Sequence, residues 1–473
     1  MKRIEAGLLV LLLLAAALLG TASLTRGHLW GDDFASYVMQ AQSILDGSTS
    51  GFIQHNTFTI ENSSFPPGPV AYPWGFPALL VPLVAVFGLK FLALKLINPL
   101  FFLLFLAVFY WLARRRLPVS VSLGLTAALT FSPALLIAQD LVSPDIPFLF
   151  ASTLAVLLIE LRLWNSLRGA ALIGLAIYFA FSLRTNGILL LAPLITAQIV
   201  GREGGWRRAL TPWLVFTAAV VIESLLLPSG QGSYLSHFSM FTAETFFHNL
   251  WFYLRFPAAL MDDIPFGSIF LVPLILLFLY DLIVNFRRER VMLSYIAASL
   301  GTFTLWPENQ GIRLVYPLLP LFLILAGGGW VSLMERVEGR QKGQLRWASI
   351  SLGAAFLLLS LIFCVNLARI NLRQGREING PLDPVSRQMF EFIREETPPG
   401  SVIVFFKPRA MRLFTDRDSF MTQNCGDLAK GDYIVFHEKQ GFNAQIADLE
   451  ACPGFDYPVV FNNLRFTVYE VLH

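Results

Sequence analysis

The sequence predicts an α-helical polytopic membrane protein of about eleven transmembrane helices, followed by a small α/β domain. Three observations carry that fold class. Of the 473 residues, 55% are hydrophobic and 14% charged, whereas a soluble domain carries roughly 25% charged residues. Apolar runs near the ~20 residues that one span needs recur along the chain, and basic clusters separate them. After Leu367 the long apolar runs stop and short alternating segments replace them.

Taken in order, Met1-Lys2-Arg3 and the apolar run behind it predict an uncleaved first span over 5–24. Thr21-Ala22-Ser23 is its nearest approach to a cleavage site. Arg114-Arg115-Arg116, Arg162 with Arg168, Arg202 with Arg207-Arg208, Arg287-Arg288 with Arg290, and the segment 336–346 follow in short loops. With Lys2 and Arg3 they hold about half of the 35 Lys and Arg. Positive-inside bias places these loops in the cytoplasm. That constraint sets spans over 90–112, 118–138, 146–163, 169–183, 187–200, 210–227, 266–284, 292–306, 314–333 and 347–367, with the N-terminus inside and the C-terminus outside. The segment 75–89 is apolar, but a crossing there would invert every later loop, so it reads as a half-inserted outer helix. Outer loops then cover 25–89 and 229–265. Within them, 34–46 and 234–260 read as interfacial helices, the second dense in aromatic rings.

The membrane domain so defined is 1–368 and the tail domain 369–473. In the tail, 383–396 reads as a helix, 402–406 and 433–436 as buried strands, and 458–461 with 465–471 as a hairpin around Asn462-Asn463. Cys425 and Cys452 lie there, and in an extracytoplasmic tail they could form a disulfide; two separate thiols are the alternative. Gly327-Gly328-Gly329 lies inside a span and reads as close helix packing. No repeat or nucleotide-binding glycine loop is visible, and no nucleic-acid partner is expected.

Few residues remain for chemistry. Asp32, Asp33, Asp140, Asp145, Arg184, Asp262, Asp263, Glu308 and Arg313 all lie at or beyond the outer end of a span. An ion-coupled transporter more often places such groups near mid-membrane. Carboxylates can take a proton from a hydroxyl acceptor, and arginines can hold phosphate oxygens through a planar fork. Each candidate has a plainer reading. Asp32, Asp33 and Asp145 stand at helix starts, where an acid can be a cap. Arg184 and Arg313 can be snorkelling anchors. His28, His55, His237 and His248 show no pattern, and no His, Cys or carboxylate spacing suggests a metal.

Four segments carry a resemblance. They are Gly31-Asp32-Asp33-Phe34-Ala35-Ser36-Tyr37, Tyr72-Pro73-Trp74-Gly75-Phe76-Pro77, Ser182-Leu183-Arg184-Thr185-Asn186-Gly187 and Arg313-Leu314-Val315-Tyr316-Pro317-Leu318-Leu319-Pro320. In this order the chain resembles the GT-C superfamily of integral-membrane glycosyltransferases, especially the bacterial branch near protein O-mannosyltransferases and lipid A aminoarabinose transferases. Two departures stand out: Asp33 replaces the usual Glu, and Leu314-Val315 interrupts the usual Arg-Tyr pair.

The resemblance implies a polyprenyl-phosphate-sugar donor, inversion at the anomeric carbon, and action at the outer face of a bacterial cytoplasmic membrane. The acceptor would be a hydroxyl of a glycan, lipid or protein. Asp32 or Asp33 would be the base, with the first position favoured. Asp145 would orient the acceptor or the base, and Arg184 and Arg313 would contact the donor phosphate. Neither metal nor cofactor is implied. A transporter or flippase of a lipid-linked glycan is the alternative from another class.

Overall fold

The computed structural model describes residues 3–201, 205–228, 242–261, 263–306, 309, 311–376, 378–438 and 445–472. The expectations for Asp262, Glu308, His237 and residues 234–241 lie outside them.

The membrane domain opens with α1 (Arg3–Ser23). Three short helices follow: α2 (Asp33–Leu45), α3 (Thr49–Asn62) and α4 (Gly75–Phe87). Then come α5 (Phe91–Lys95), α6 (Ile97–Arg114), α7 (Val119–Thr130), α8 (Pro133–Ala138), α9 (Asp145–Glu160), α10 (Leu167–Leu183), α11 (Leu191–Gly201) and α12 (Trp206–Leu226). The domain closes with α13 (Ala243–Leu254), α14 (Gly267–Thr304), α15 (Leu319–Arg336) and α16 (Gly339–Gln374). Six helical segments are long and apolar enough to cross a membrane, and four shorter apolar helices accompany them among the described residues. Leu214, Leu225 and Leu226 on α12 and Ile269, Leu276 and Ile283 on α14 stand exposed, which suits a hydrocarbon surround.

Three predicted spans differ in form. The run 118–138 divides into α7 and α8 because Ser132, with ψ 118°, is extended before Pro133, where the proline ring disfavours helix in the preceding residue. The runs 266–284 and 292–306 join into the uninterrupted α14, since the intervening residues contain neither Gly nor Pro. Straight, its 38 residues would reach about 57 Å. Yet a Cβ on Gly267 would meet Met261, while Phe303 packs on Tyr253, only eight residues earlier in the chain, with ring centroids 5.5 Å apart. The ends of α14 therefore lie nearer one another than in a straight helix, and its middle reaches the far end of the bundle. There Glu289 pairs with Arg116. The three glycines of α15 do serve close packing: a Cβ on Gly329 would collide with the Leu277 carbonyl of α14.

One end of the bundle gathers the starts of α2 and α9, the end of α10 and the segment before α15. The other gathers the end of α6, the end of α9 and the middle of α14.

The C-terminal domain is a five-stranded sheet of order β2-β1-β3-β5-β4. Its strands are β1 (Val402–Phe405), β2 (Asp418–Phe420), β3 (Tyr433–His437), β4 (Val459–Asn462) and β5 (Phe466–Glu470). β1 runs parallel to β2 and β3, while β5 is antiparallel to β3 and β4. Helices α17 (Pro384–Glu396) and α18 (Pro408–Thr415) cover one face through Met389, Phe390, Ile393 and Met411. Leu428, Ile446 and Leu449 pack on the other face, where Cys425 and Cys452 form a disulfide.

The domain is seated on α3 and the loop before α2. Thr59 donates to the Ser419 carbonyl at 2.9 Å, His55 Nδ1 lies 2.9 Å from Asp418 Oδ1, and Trp30 packs against Phe390, Phe405, Phe406 and Phe466.

Candidate active site

Asp33 begins α2 at the bundle end that faces the C-terminal domain. Its Oδ1 accepts a hydrogen bond from the Tyr72 hydroxyl at 2.5 Å. Tyr72 is held by Gln40, whose side chain donates to the Tyr72 carbonyl at 2.9 Å and accepts from its N–H at 3.1 Å. Burial pushes the Tyr72 phenol well above its ordinary value, and the Asp33 charge adds to the shift. The hydroxyl therefore keeps its proton and acts as a donor.

Asp145 begins α9 with its side chain fully buried. Arg184, directly after α10, donates to Asp145 Oδ1, and Ser143 donates to Oδ2 at 2.9 Å. Arg313 lies between the two acids. One of its terminal nitrogens is 3.8 Å from Asp33 Oδ2, and the other is 3.8 Å from Asp145 Oδ2. The side chains of Arg313 and Asp33 are 40% and 42% exposed, so both are open to an incoming group. Arg184 is more enclosed.

The structure thus brings Asp33, Asp145, Arg184 and Arg313 together and sets Asp32 apart. Asp32 is buried and points toward the C-terminal domain. It accepts the backbone N–H of Arg409 at 3.0 Å, and Lys407 Nζ stands 3.7 Å from its other oxygen. It occupies the residue before α2 without a side-chain cap bond. Burial raises its carboxyl above the usual 3.8, against the opposing pull of Lys407 and Arg409. Asp140 belongs to a separate cluster with Lys95 at 2.7 Å, Arg376 and Thr25. Asp263 is exposed and makes no ion pair with these residues. Among the described residues no three His, Cys, Asp or Glu side chains gather as a metal-holding group.

Sequence reasoning missed the bond from Tyr72 to Asp33 and the approach of Lys407 and Arg409 to Asp32. Arg409 is almost fully buried. It donates to Asn56 at 3.1 Å and to the Pro69 carbonyl, with its guanidinium 5.6 Å from the centre of the Tyr72 ring. The only sequence signal was the polar Gln40 inside a buried helix.

Comparison with solved structures identifies the fold. ArnT from Cupriavidus metallidurans in the apo state superposes with a TM-score of 0.62, over 99% of this chain and 98% of that one, at 15% identity. The chain has the GT-C fold. The same ArnT bound to undecaprenyl phosphate gives 0.59 at 14% identity, with 98% of each chain covered. The oligosaccharyltransferase of Archaeoglobus fulgidus, tethered to an acceptor peptide, gives 0.57 at 13% identity, over 93% of this chain and 70% of that one. No family model matches the sequence, and a search of curated proteins finds no match. The GT-C fold is thus legible in three dimensions at identities where sequence comparison is silent.

Proposed function

We propose that this GT-C protein is a membrane glycosyltransferase that moves a sugar from a polyprenyl-phosphate donor to a hydroxyl acceptor, with inversion, at the outer face of a bacterial cytoplasmic membrane. The observation that carries the reading is the convergence of Asp33 and Asp145 on the exposed Arg313, 3.8 Å from each. A base and a phosphate-binding cation are what such a transfer needs on one surface. The undecaprenyl phosphate of ArnT and the dolichol-phosphate bound to the Archaeoglobus oligosaccharyltransferase support a lipid phosphate as the carrier.

Asp33 is the base on this reading, because it is open while Asp32 is engaged by Lys407 and Arg409. The acceptor hydroxyl gives its proton to Asp33. Its oxygen attacks the anomeric carbon from the face opposite the phosphate. The bond from that carbon to the phosphate oxygen breaks, and its electron pair leaves on polyprenyl phosphate. Arg313 receives the added charge, with Arg184 behind it, and a planar guanidinium can contact two phosphate oxygens at once. Asp145 holds both arginines in place. Tyr72 fixes the Asp33 carboxylate.

The test is sugar transfer by purified protein in lipid, offered polyprenyl-phosphate-sugars and a membrane glycolipid extract. General-base removal costs ~10² to 10⁴ in rate. Asp33→Asn is expected to lose transfer on that scale while still binding donor. Full activity in Asp33→Asn would overturn the assignment of the base, and no transfer by the wild type with any donor would overturn the class.

A further inference from the structure

The arginine-rich end of the bundle, away from the acidic site, holds a cavity of about 340 Å³. Six arginines line it: Arg115 and Arg116 beyond α6, Arg162 beyond α9, and Arg287, Arg288 and Arg290 in the middle of α14. The helix α9 carries Asp145 at one end and Glu160 at the other. Its 16 residues separate the two places by about 24 Å, so the cavity is distinct from the proposed active site.

The charges here are unevenly spent. Arg116 is satisfied by Glu160 at 2.5 Å and by Glu289. Arg288 reaches Glu289 at 3.5 Å. Among the described residues Arg115, Arg162, Arg287 and Arg290 form no ion pair with a carboxylate. Arg162 also holds a left-handed backbone, φ 53° and ψ 38°, which costs free energy in a residue other than glycine. Positive-inside bias explains basic residues at this end, but it is met equally by side chains in open water, such as exposed Arg340 and Lys342 on α16. It does not require them to surround a cavity.

One wall tells which anion fits. Val200 of α11 lines the cavity, and Ile195, Ile199 and Val200 are exposed along that same helix. An apolar strip thus runs from the basic cavity into the membrane zone. A free anion has no use for that strip, whereas a lipid has. We propose that the cavity binds the headgroup of an anionic phospholipid. The phosphate is held by Arg162, Arg287 and Arg290, and an acyl chain lies along α11. Basic pockets between helix ends at a membrane surface suit such headgroups.

The test is native mass spectrometry of the full chain in neutral detergent, titrated separately with phosphatidylglycerol, cardiolipin, phosphatidylcholine and inorganic phosphate. The wild type is expected to retain the two anionic lipids and not phosphatidylcholine. Arg162→Gln with Arg287→Gln is expected to weaken that retention about tenfold or more. Arg340→Gln with Lys342→Gln, an equal loss of charge outside the cavity, is expected to leave it unchanged. All four residues are exposed, so folding is preserved, and Arg290→Gln alone gives an independent reading. Equal loss in both double variants would overturn the proposal in favour of a diffuse basic surface. Saturable binding of inorganic phosphate that displaces the lipid would overturn the lipid assignment.

Discussion

The Tyr72 hydroxyl donates to Asp33 Oδ1 at 2.5 Å, and this bond links the first turn of α2 to the segment leading into α4. A hydrogen bond to a charged group contributes about 1.5–3 kcal/mol. Tyr72→Phe removes the donor but keeps the ring, which packs 4.7 Å from Tyr37. The variant is expected to fold normally and to lose roughly tenfold in the rate of sugar transfer, with donor affinity nearly unchanged. A steady-state comparison of kcat and KM with the wild type measures this directly. A change confined to KM would mean that Tyr72 contacts the donor and does not orient Asp33.

Arg313 offers a different test because its charge and its shape can be separated. Arg313→Lys keeps a cation but loses the planar fork. If the fork grips the donor phosphate, Lys restores little, and transfer falls about tenfold or more in Arg313→Lys as well as in Arg313→Ala. If Arg313 only balances Asp33 and Asp145 electrostatically, Lys restores most of the activity. Binding of radiolabelled polyprenyl phosphate to each variant distinguishes the two.

These two residues also mark how far the sequence could be read. Apolar runs, basic clusters and the change of character after Leu367 gave the helical bundle and the small sheet domain, because hydrophobic burial and membrane insertion act on local composition. Asp33, Asp145, Arg184 and Arg313 were legible as outer ionisable residues. That they meet was not, since α2, α9, α10 and α15 come together only in the folded bundle. Asp32 and Asp33 are chemically the same in the sequence. Only the seating of Lys407 and Arg409, more than 370 residues away, separates an enclosed carboxylate from an open one. The continuity of α14 was hidden for another reason. Its charged middle looks like a loop by composition, but nothing in it interrupts a helix.

Asp32 yields a pH prediction. Its carboxyl is raised above its usual 3.8, chiefly by burial, so the folded state favours the protonated form. Stability from this group is fully present below about pH 3.8, the unfolded value, and is lost as pH rises through the higher folded value. Asp32→Asn keeps a neutral group at every pH. Its stability relative to the wild type is therefore expected to improve as pH increases from about 4 towards neutrality. Thermal unfolding of both proteins across that range, followed by tryptophan emission, measures the trend. A difference independent of pH would show that Asp32 is ionised equally in both states.

The Cys425–Cys452 disulfide joins the 3-10 turn after β2 to the segment after β3, across 27 residues. A bridge closing a loop of that length contributes about 3.5 kcal/mol by chain entropy. Because it lies on the sheet face opposite α18, its loss should act on the C-terminal domain and leave the Asp33–Arg313 geometry in place. Cys425→Ser with Cys452→Ser is expected to lower the unfolding temperature and to speed proteolysis of residues 425–452, while transfer measured at low temperature stays near the wild-type level. Non-reducing peptide mapping of the purified protein supplies the prior check, since two free thiols would remove the premise.

Gly329 gives the sharpest packing prediction. A Cβ there would strike the backbone carbonyl of Leu277, whereas at Gly327 it would meet side-chain methyls alone, those of Leu117, Leu125 and, at 3.4 Å, Val121. A side chain can yield by changing rotamer, but a helix carbonyl can move only by separating α14 from α15. Gly329→Ala is therefore expected to cost about 3 kcal/mol or more, at or beyond the upper end of ordinary overpacking, and Gly327→Ala distinctly less. The yield of monodisperse protein and the unfolding temperature of each variant report the order. Equal tolerance of both would show that the two helices can slide apart without penalty, against the interlocked packing that the contact with Leu277 requires.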